Sequence, residues 1–527
     1  MRAKLLGLLG VILVAVSCGS PSLSPSASAT TGSPSASSSP AVTQGAGATP
    51  TSTTAASPSV AAEGDWAVTS PMALGRGAPH AVLLGDGRVL VAGNDEEYSC
   101  GVRPDSAQTE TWDPASGTWS AGPSLNAPRG EFAAVPVGGV GVLVTGGVTA
   151  GDTEDGSQSN HQSYSSTYVF DPASVVPVWS RQGLLDRART LPIAATLLDG
   201  RVLVAGGYYL SGEGFGSADG VVLAAYHAPR DGASSESAPP GDMAPPGLAP
   251  TFATAELFDP VAGSWSGTGP MRYARVAAPA ATLTDGRVLV AGSGSSWVQW
   301  NFTRPSVSER AQETAEIFDP RTGRFALTGD LPALDWSPLA AWGGPYPVDS
   351  GGVSDAGALV ALADGGALLV GQVTSWSIRA LGVDGSTVRT LRYDAAADGW
   401  TLIDQRISGR AYSADGTAPE EVIVDGHSRS PAIAARLHDG RVLVVQEGGL
   451  TTELYDPASG SWSAVTPMPA PRAGGAAVLL RDGSVLVVGG PGKNPDDEKL
   501  ACNQDGTCRC GEESTGLANA IRFIPAP

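Results

Sequence analysis

The chain has 527 residues, 42% of them apolar and only 16% charged, with 69 Gly and 41 Pro. Lys and Arg number 32 against 52 Asp and Glu, and the resulting −20 excludes a nucleic-acid partner held by phosphate neutralisation. Glycine and proline together exclude a coiled coil or a helical bundle and suit many short strands joined by turns.

The chain opens MRAKLLGLLGVILVAVSC. Arg2 and Lys4 precede an uncharged apolar run from Leu5 to Val16 that is too short for a stable bilayer anchor, so residues 1–17 are expected to be an export signal. The junction Ala15-Val16-Ser17-Cys18 resembles the lipobox of bacterial lipoproteins. That resemblance implies lipid on Cys18 and a cell-membrane location facing the extracytoplasmic side, with plain secretion as the alternative. Removal of the signal takes Arg2 and Lys4 away, from −20 to −22. In residues 19–62, 40 of 44 are Ser, Thr, Pro, Ala or Gly and none is charged. Such a segment buries too little apolar surface to offset its ordering entropy, so residues 18–62 are expected to be a lipidated Cys followed by a disordered stalk.

From residue 63 to the end one unit recurs. It runs Arg, apolar strand A, Asp-Gly, apolar strand B, then Gly-Gly or its remnant. Copies start at Arg76, Arg129, Arg189, Arg275, Ser354, Arg429 and Arg472, and RTLPIAATLLDGRVLVAGG from Arg189 is among the clearest. Asp-Gly between two β-rich runs is a two-residue hairpin signal. A third strand, C, follows in each copy (TETWDPASGTW, ATAELFDPVAGSW, TAEIFDPRTGRF, TLRYDAAADGW, TTELYDPASGSW). It ends in an Asp-Pro turn or its variant, and an aromatic six residues after the Asp (Trp119, Trp265, Phe325, Trp400, Trp462) marks strand D. In the second copy this turn is stretched, from Asp171 to Trp179. These aromatics are expected to pack between sheets.

Seven four-stranded units with an Arg before strand A, a diglycine after strand B and spaced aromatics on C and D resemble the kelch repeats of β-propellers, whose blades run to about 50 residues. The resemblance implies an all-β fold, a seven-bladed kelch-type propeller over residues 63–527, similar in fold to the central domain of galactose oxidase. The last copy supplies strands A and B and a strand C at 518–524. Gly64 to Val68 reads as the missing strand D, so an N-terminal outer strand is expected to close the ring and leave no unpaired edge.

The Asp-Gly and Asp-Pro turns share one face, and the B–C and D–A connections share the other. Nearly all insertions fall on the second face: 94–108, 148–166, 208–253, 293–313, 372–389, 491–517 and D–A segments near 329–354 and 403–428. Function is expected there. The starting arginines Arg76, Arg129, Arg189, Arg275, Arg429 and Arg472 are expected to ring the channel mouth. They are candidate contacts for a carboxylate, sulfate or acidic peptide, the plainer alternative being a scaffold role on loop carbonyls of their own blade. Trp297, Trp300 and Trp342, with Tyr208 and Tyr209 among other loop aromatics, are candidates for stacking on sugars or anchoring a protein.

Cys100, Cys502, Cys508 and Cys510 form an even set that reads as disulfides in an exported chain, with a four-thiolate zinc site as the alternative. Cys100 is joined to Cys508 or Cys510, and the remaining two are joined to each other. Asp95-Glu96-Glu97 and Asp496-Asp497-Glu498 are candidate calcium ligands, with solvated loops as the plainer alternative. No catalytic set and no resident metal or other cofactor are expected. Tyr226-His227 imitates the adjacent Tyr-His pair of copper-radical oxidases of the galactose oxidase and glyoxal oxidase type, but it sits too early in the chain for that family's order, so copper is not expected. The expected function is therefore a monomeric, surface-anchored, non-catalytic binding module for a glycan or protein. The alternative is an extracytoplasmic enzyme acting on sugars, similar to kelch-type sialic acid epimerases or, less closely, to the copper oxidases.

Overall fold

The protein is described here by a computed structural model. It describes residues 63–93, 104–138, 141–149, 162–209, 251–293, 311, 313–333, 354–355, 357–378, 383–411, 433–446, 451–470, 472, 474–490, 501–502, 508–509 and 517–526. Residues 1–62, where a signal and a stalk are expected, lie outside the described residues.

Seven antiparallel sheets follow one another, each with its strands in the order A-B-C-D. Blade one comprises His80–Leu83, Val89–Ala92, Glu110–Asp113 and Thr118–Ala121. Blade two comprises Ala133–Val137, Gly141–Thr145, Ser166–Phe170 and Trp179–Leu184. Blade three comprises Ile193–Thr196, Val202–Ala205, Ala255–Asp259 and Ser264–Gly267. Blade four comprises Ala280–Thr282, Val288–Ala291, Ala315–Asp319 and Arg324–Leu327. Blade five comprises Ala358–Ala361, Ala367–Ile378, Val383–Asp394 and Gly399–Ala411, with Ser354–Asp355 pairing on the far end of its second strand. Blade six comprises Ile433–Arg436, Val442–Gln446, Thr451–Asp456 and Ser461–Ala464. Blade seven comprises Ala476–Leu479, Val485–Val488, Ala520–Pro525 and, as its outermost strand, Gly64–Val68.

Strand A of each blade lies against strand A of the next, and that of blade seven lies against that of blade one, so the ring is closed. Strand B reads Val-Leu-Val-Ala or a near variant because neighbouring blades cover both its faces. Its side chains in blades one to four and seven are wholly buried, and a strand buried on both sides has no reason to alternate. The core is accordingly seven seams rather than one centre. The seam of blades three and four, for example, joins Ile193, Leu203 and Leu257 to Val288, Val290 and Phe318. Burying each such side chain contributes about 1.5–3 kcal/mol.

Strand D is half-exposed and is held chiefly through its aromatic. Trp119, Trp179, Trp265, Phe325, Trp400, Trp462 and Trp66 each face an aromatic directly across strand C: Trp112, Phe170, Phe258, Phe318, Tyr393, Tyr455 and Phe523. Ring centroids lie between 4.9 Å for Phe318–Phe325 and 6.5 Å for Trp112–Trp119, in tilted arrangements.

One stretch departs from expectation. Segments 372–389 and 403–428 read as loops from sequence, yet strands B, C and D of blade five run on as a three-stranded ribbon through Ile378, Val383 and Ala411. These strands have 12, 12 and 13 residues where the other blades use 3 to 6. At about 3.3 Å per residue the ribbon stands roughly 20 Å beyond the blade, on the face of the B–C connections.

Candidate functional site

The starting arginine and the diglycine turn out to be two halves of one relay, which links neighbouring blades at three seams among the described residues. Each described Arg folds its guanidinium back onto the glycine seventeen residues later in its own blade: Arg76 to Gly93 O (2.8 Å), Arg129 to Gly146 O (3.2 Å), Arg189 to Gly206 O (2.7 Å), Arg275 to Gly292 O (2.7 Å) and Arg472 to Gly489 O (3.0 Å). The second glycine of the pair then donates its N–H to the main-chain carbonyl of the next blade's Arg. Gly147 reaches Arg189 O, Gly207 reaches Arg275 O, and Gly490 reaches Arg76 O, the last across the closure. The first glycine lies so close that a Cβ on Gly206 would sit 2.3 Å from Arg275 O, with φ at +64° as well.

A carboxylate on strand C completes the arrangement in three blades. Glu110 accepts from Arg76 (3.1 Å), Glu256 from Arg189 (3.2 Å) and Glu316 from Arg275 (3.0 Å). The same carboxylates accept backbone N–H groups of the incoming D–A segment: Ala73 on Glu110, Asp186 on Glu256 and Arg272 on Glu316. Burial pushes the Arg275 guanidinium below its usual pKa, and Glu316 opposes this. In blade two Tyr168 takes the position of the Glu, and Arg129 lies 4.4 Å from the Tyr164 ring centre and 5.3 Å from that of Tyr168. In blade seven Ile521 takes it, and Arg472 bonds the carbonyl and side-chain oxygen of Asn519 instead. Blade five starts with Ser354, and there a buried Arg389 from strand C reaches the D–A segment at Pro332 O.

These contacts correct the expected ring of ligand-binding guanidiniums. Arg76, Arg129, Arg189, Arg275 and Arg472 are at most 1% exposed, and their bonds run to the protein itself. They hold connections in place and present no open cationic rim. Arg429 lies outside the described residues, as do Trp297, Trp300 and Trp342, the acidic residues Asp95, Glu96, Glu97, Asp496, Asp497 and Glu498, and Cys18, Cys100 and Cys510. The short strands Ala501–Cys502 and Cys508–Arg509 pair with Cys502 opposite Cys508 in backbone register.

In blades two, three and four the position two after the Arg, just before the inner strand, is partly exposed. Glu131, Leu191 and Ala277 there adopt φ of 53°, 50° and 47°. They link blade to blade through the main chain, Leu191 N–H to Glu131 O and Ala277 N–H to Leu191 O. The left-handed backbone turns that N–H and carbonyl along the ring, and without glycine it costs about 1–2 kcal/mol per residue. Sequence places Tyr208 among the aromatics of the long connections. It is buried under Leu191, beside Val276, and its hydroxyl crosses the seam to donate to Glu131 Oε2 at 3.1 Å. Glu131 thus stands partly exposed just before the inner strand of blade two with one oxygen oriented. Nearby His80 packs on Phe132, with ring centres 4.6 Å apart, and burial lowers its pKa to about 4, so it is a neutral imidazole at pH 7. Sequence reasoning missed both Glu131 and the strand-C glutamates. The recurring Glu two residues before the strand-C aromatic (110, 256, 316, 453) was a visible signal for the latter.

No known family profile and no curated protein matches this chain. Among solved structures, one similar to it is a novel fungal alcohol oxidase with catalytic diversity among the AA5 family, in complex with copper. The two are 16% identical, the alignment covers 88% of this chain and 76% of the other, and the TM-score is 0.48.

Proposed function

We propose that the protein is an extracytoplasmic binding module, carried by lipid on Cys18 and a stalk, that engages a glycan or a protein through the face of its B–C and D–A connections. The observation that carries this reading is the inequality of the two faces. On one, the described hairpin turns are short and capped by their own aspartates, as where Asp86, Asp199, Asp285 and Asp439 each accept the N–H two residues on and pair with the arginine there. On the other stand the blade-five ribbon, the strained backbone before the inner strands and Glu131, together with connections as long as 206–254 and 489–519. Elaboration of one rim of a rigid scaffold favours recognition there. With the arginines withdrawn into the blades, the ligand favoured is neutral or weakly basic rather than acidic.

The test is a screen of the full chain against immobilised glycans and isolated surface proteins. It is repeated with Glu131→Gln and with residues 373–388 replaced by a two-residue turn. Binding should weaken at least tenfold in one of these and stay unchanged in Arg321→Ala on the opposite face. A ligand indifferent to both loop-face changes would overturn the proposal, as would turnover of a sugar or aldehyde on addition of copper.

A further inference from the structure

At the seam of blades two and three the staple between neighbouring blades is broken. At four other seams a strand-D indole donates to the D–A connection of the preceding blade: Trp66 to Thr466 O and Trp119 to Ser70 O (both 2.8 Å), Trp179 to Pro123 O (2.9 Å) and Trp400 to the Thr328 hydroxyl (3.1 Å). In three of these the acceptor is the residue four after the preceding strand-D aromatic, which for Trp265 is Gly183. Gly183 sits at φ +112° beside a bulge, where Thr167 faces Gly183 and Tyr168 faces Arg181, leaving Gln182 over. It still lies against the indole, since a Cβ there would be 3.7 Å from Trp265 Cδ1. Its carbonyl does not serve, however, and the buried indole N–H has no hydrogen-bond partner among the described residues. The Trp462 indole N–H, at the seam of blades five and six, is likewise buried without a hydrogen-bond partner among the described residues, although the residue four after Trp400 is the described Asp404, so the staple is missing there too.

At the seam of blades two and three a cavity of about 500 Å3 opens on the outer wall, bounded by Leu184, Asp186 and Arg187 from blade two's exit and by Glu256, Trp265 and Ser266 from blade three. Its charge is balanced, because Asp186 and Glu256 are matched by Arg187 and Arg189, and Glu256 and Arg189 already bond each other. A balanced wall gives no advantage to a free anion or cation. It offers an aromatic ring, a carboxylate and a hydroxyl, with the unpaired indole N–H itself buried, and the exposed set suits a ring with apolar C–H faces and hydroxyls able both to donate and to accept. The volume lies within the range of small-molecule sites. We propose that this cavity is a binding site for a neutral pyranose unit, separate from the loop-face site.

The experiment follows the indole N–H resonances of the full chain by NMR, with that of Trp265 assigned from Trp265→Phe. Methyl glycosides of glucose, galactose and N-acetylglucosamine are titrated, with acetate and glycine as charged comparators. At least one glycoside should shift the Trp265 signal saturably, with a Kd of about 1 mM or below. Gly267→Leu should weaken that response at least tenfold at unchanged melting temperature, because Gly267 lines the cavity and an added Cβ there meets nothing within 4 Å. Glu131→Gln should leave the response unchanged, which separates this site from the loop-face proposal. The inference is overturned if no glycoside moves Trp265, if Gly267→Leu responds as the parent does, or if only acetate or glycine saturates the signal.

Discussion

Arg275 is the clearest case of a charged side chain whose surroundings decide its role. Its guanidinium donates to the carbonyls of Gly292 and Thr314, to the Thr314 hydroxyl and to Glu316, with no exposed surface. Two opposite charges taken out of water together need their mutual attraction and every remaining hydrogen bond to offset the desolvation, and removal of one strands the other. Arg275→Met should therefore lower the stability of the chain by about 3–5 kcal/mol in urea titration. Arg275→Met with Glu316→Leu should recover at least half of that loss. A single variant as stable as the parent would show that the pair holds nothing together. The same logic explains why blade two tolerates tyrosine in place of glutamate. Arg129 there has Asn126 Oδ1, the Ser166 hydroxyl and two aromatic faces, so no buried charge is left without partners.

At the scale of the strand, the diglycine decides where strand B ends. In blade three Gly206 and Gly207 both take positive φ, which swings the chain out of the sheet and brings Gly207 N–H onto Arg275 O. Blade five has Gly371 at positive φ but Gln372 in the second place. Its strand bulges between Val370 and Gln372 and then resumes pairing, so the ribbon forms where a loop was expected. The glycine requirement is thus one of contact as much as of dihedral angle, and two substitutions separate these. Gly206→Ala should cost clearly more than Gly200→Ala. At Gly200 φ is +88° with open space around the Cβ, so only the backbone term of about 1–2 kcal/mol applies, whereas at Gly206 the methyl also meets Arg275 O. Equal unfolding midpoints for the two variants would contradict the close approach.

For the whole molecule the decisive element is the first described strand, Gly64–Val68. Gly64–Val68 pairs along its full length with Ala520–Pro525, and Trp66 packs on Phe523 and donates to Thr466 O in blade six. Glu63 adds an ion pair to Arg441 at 2.7 Å. In the other six blades a strand D covers strand C, and loss of this strand leaves the outer edge of Ala520–Pro525 unpaired. A chain beginning at residue 69 should melt well below one beginning at residue 63, by more than the about 3–5 kcal/mol of a single buried Trp→Ala, and should self-associate. The chain beginning at residue 63 should melt like the full chain. Indistinguishable melting of the two truncated chains would mean that the ring closes without its N-terminal strand.

The repeat, the Asp-Gly and Asp-Pro turns, the strand-B apolar runs and the aromatic of strand D are local patterns. They were enough to determine seven blades, the chain's identity as an all-β protein and the pairing of Gly64–Val68 with its last strand. These features depend on residues within a few positions of each other, or on a count of complete strands. What the guanidiniums face depends on groups 17 to 67 positions away and on the neighbouring blade, and a regular spacing of arginines is compatible with an open ring or a buried one until the Gly carbonyls and strand-C glutamates are placed. The same holds for Tyr208, whose hydroxyl finds Glu131 across 77 residues, and for Gly183, whose bulge leaves Trp265 unpaired. Tertiary structure alone decided these because desolvation makes a buried polar group take whatever partner the neighbouring blade supplies, and that partner is adjacent in space, not in sequence.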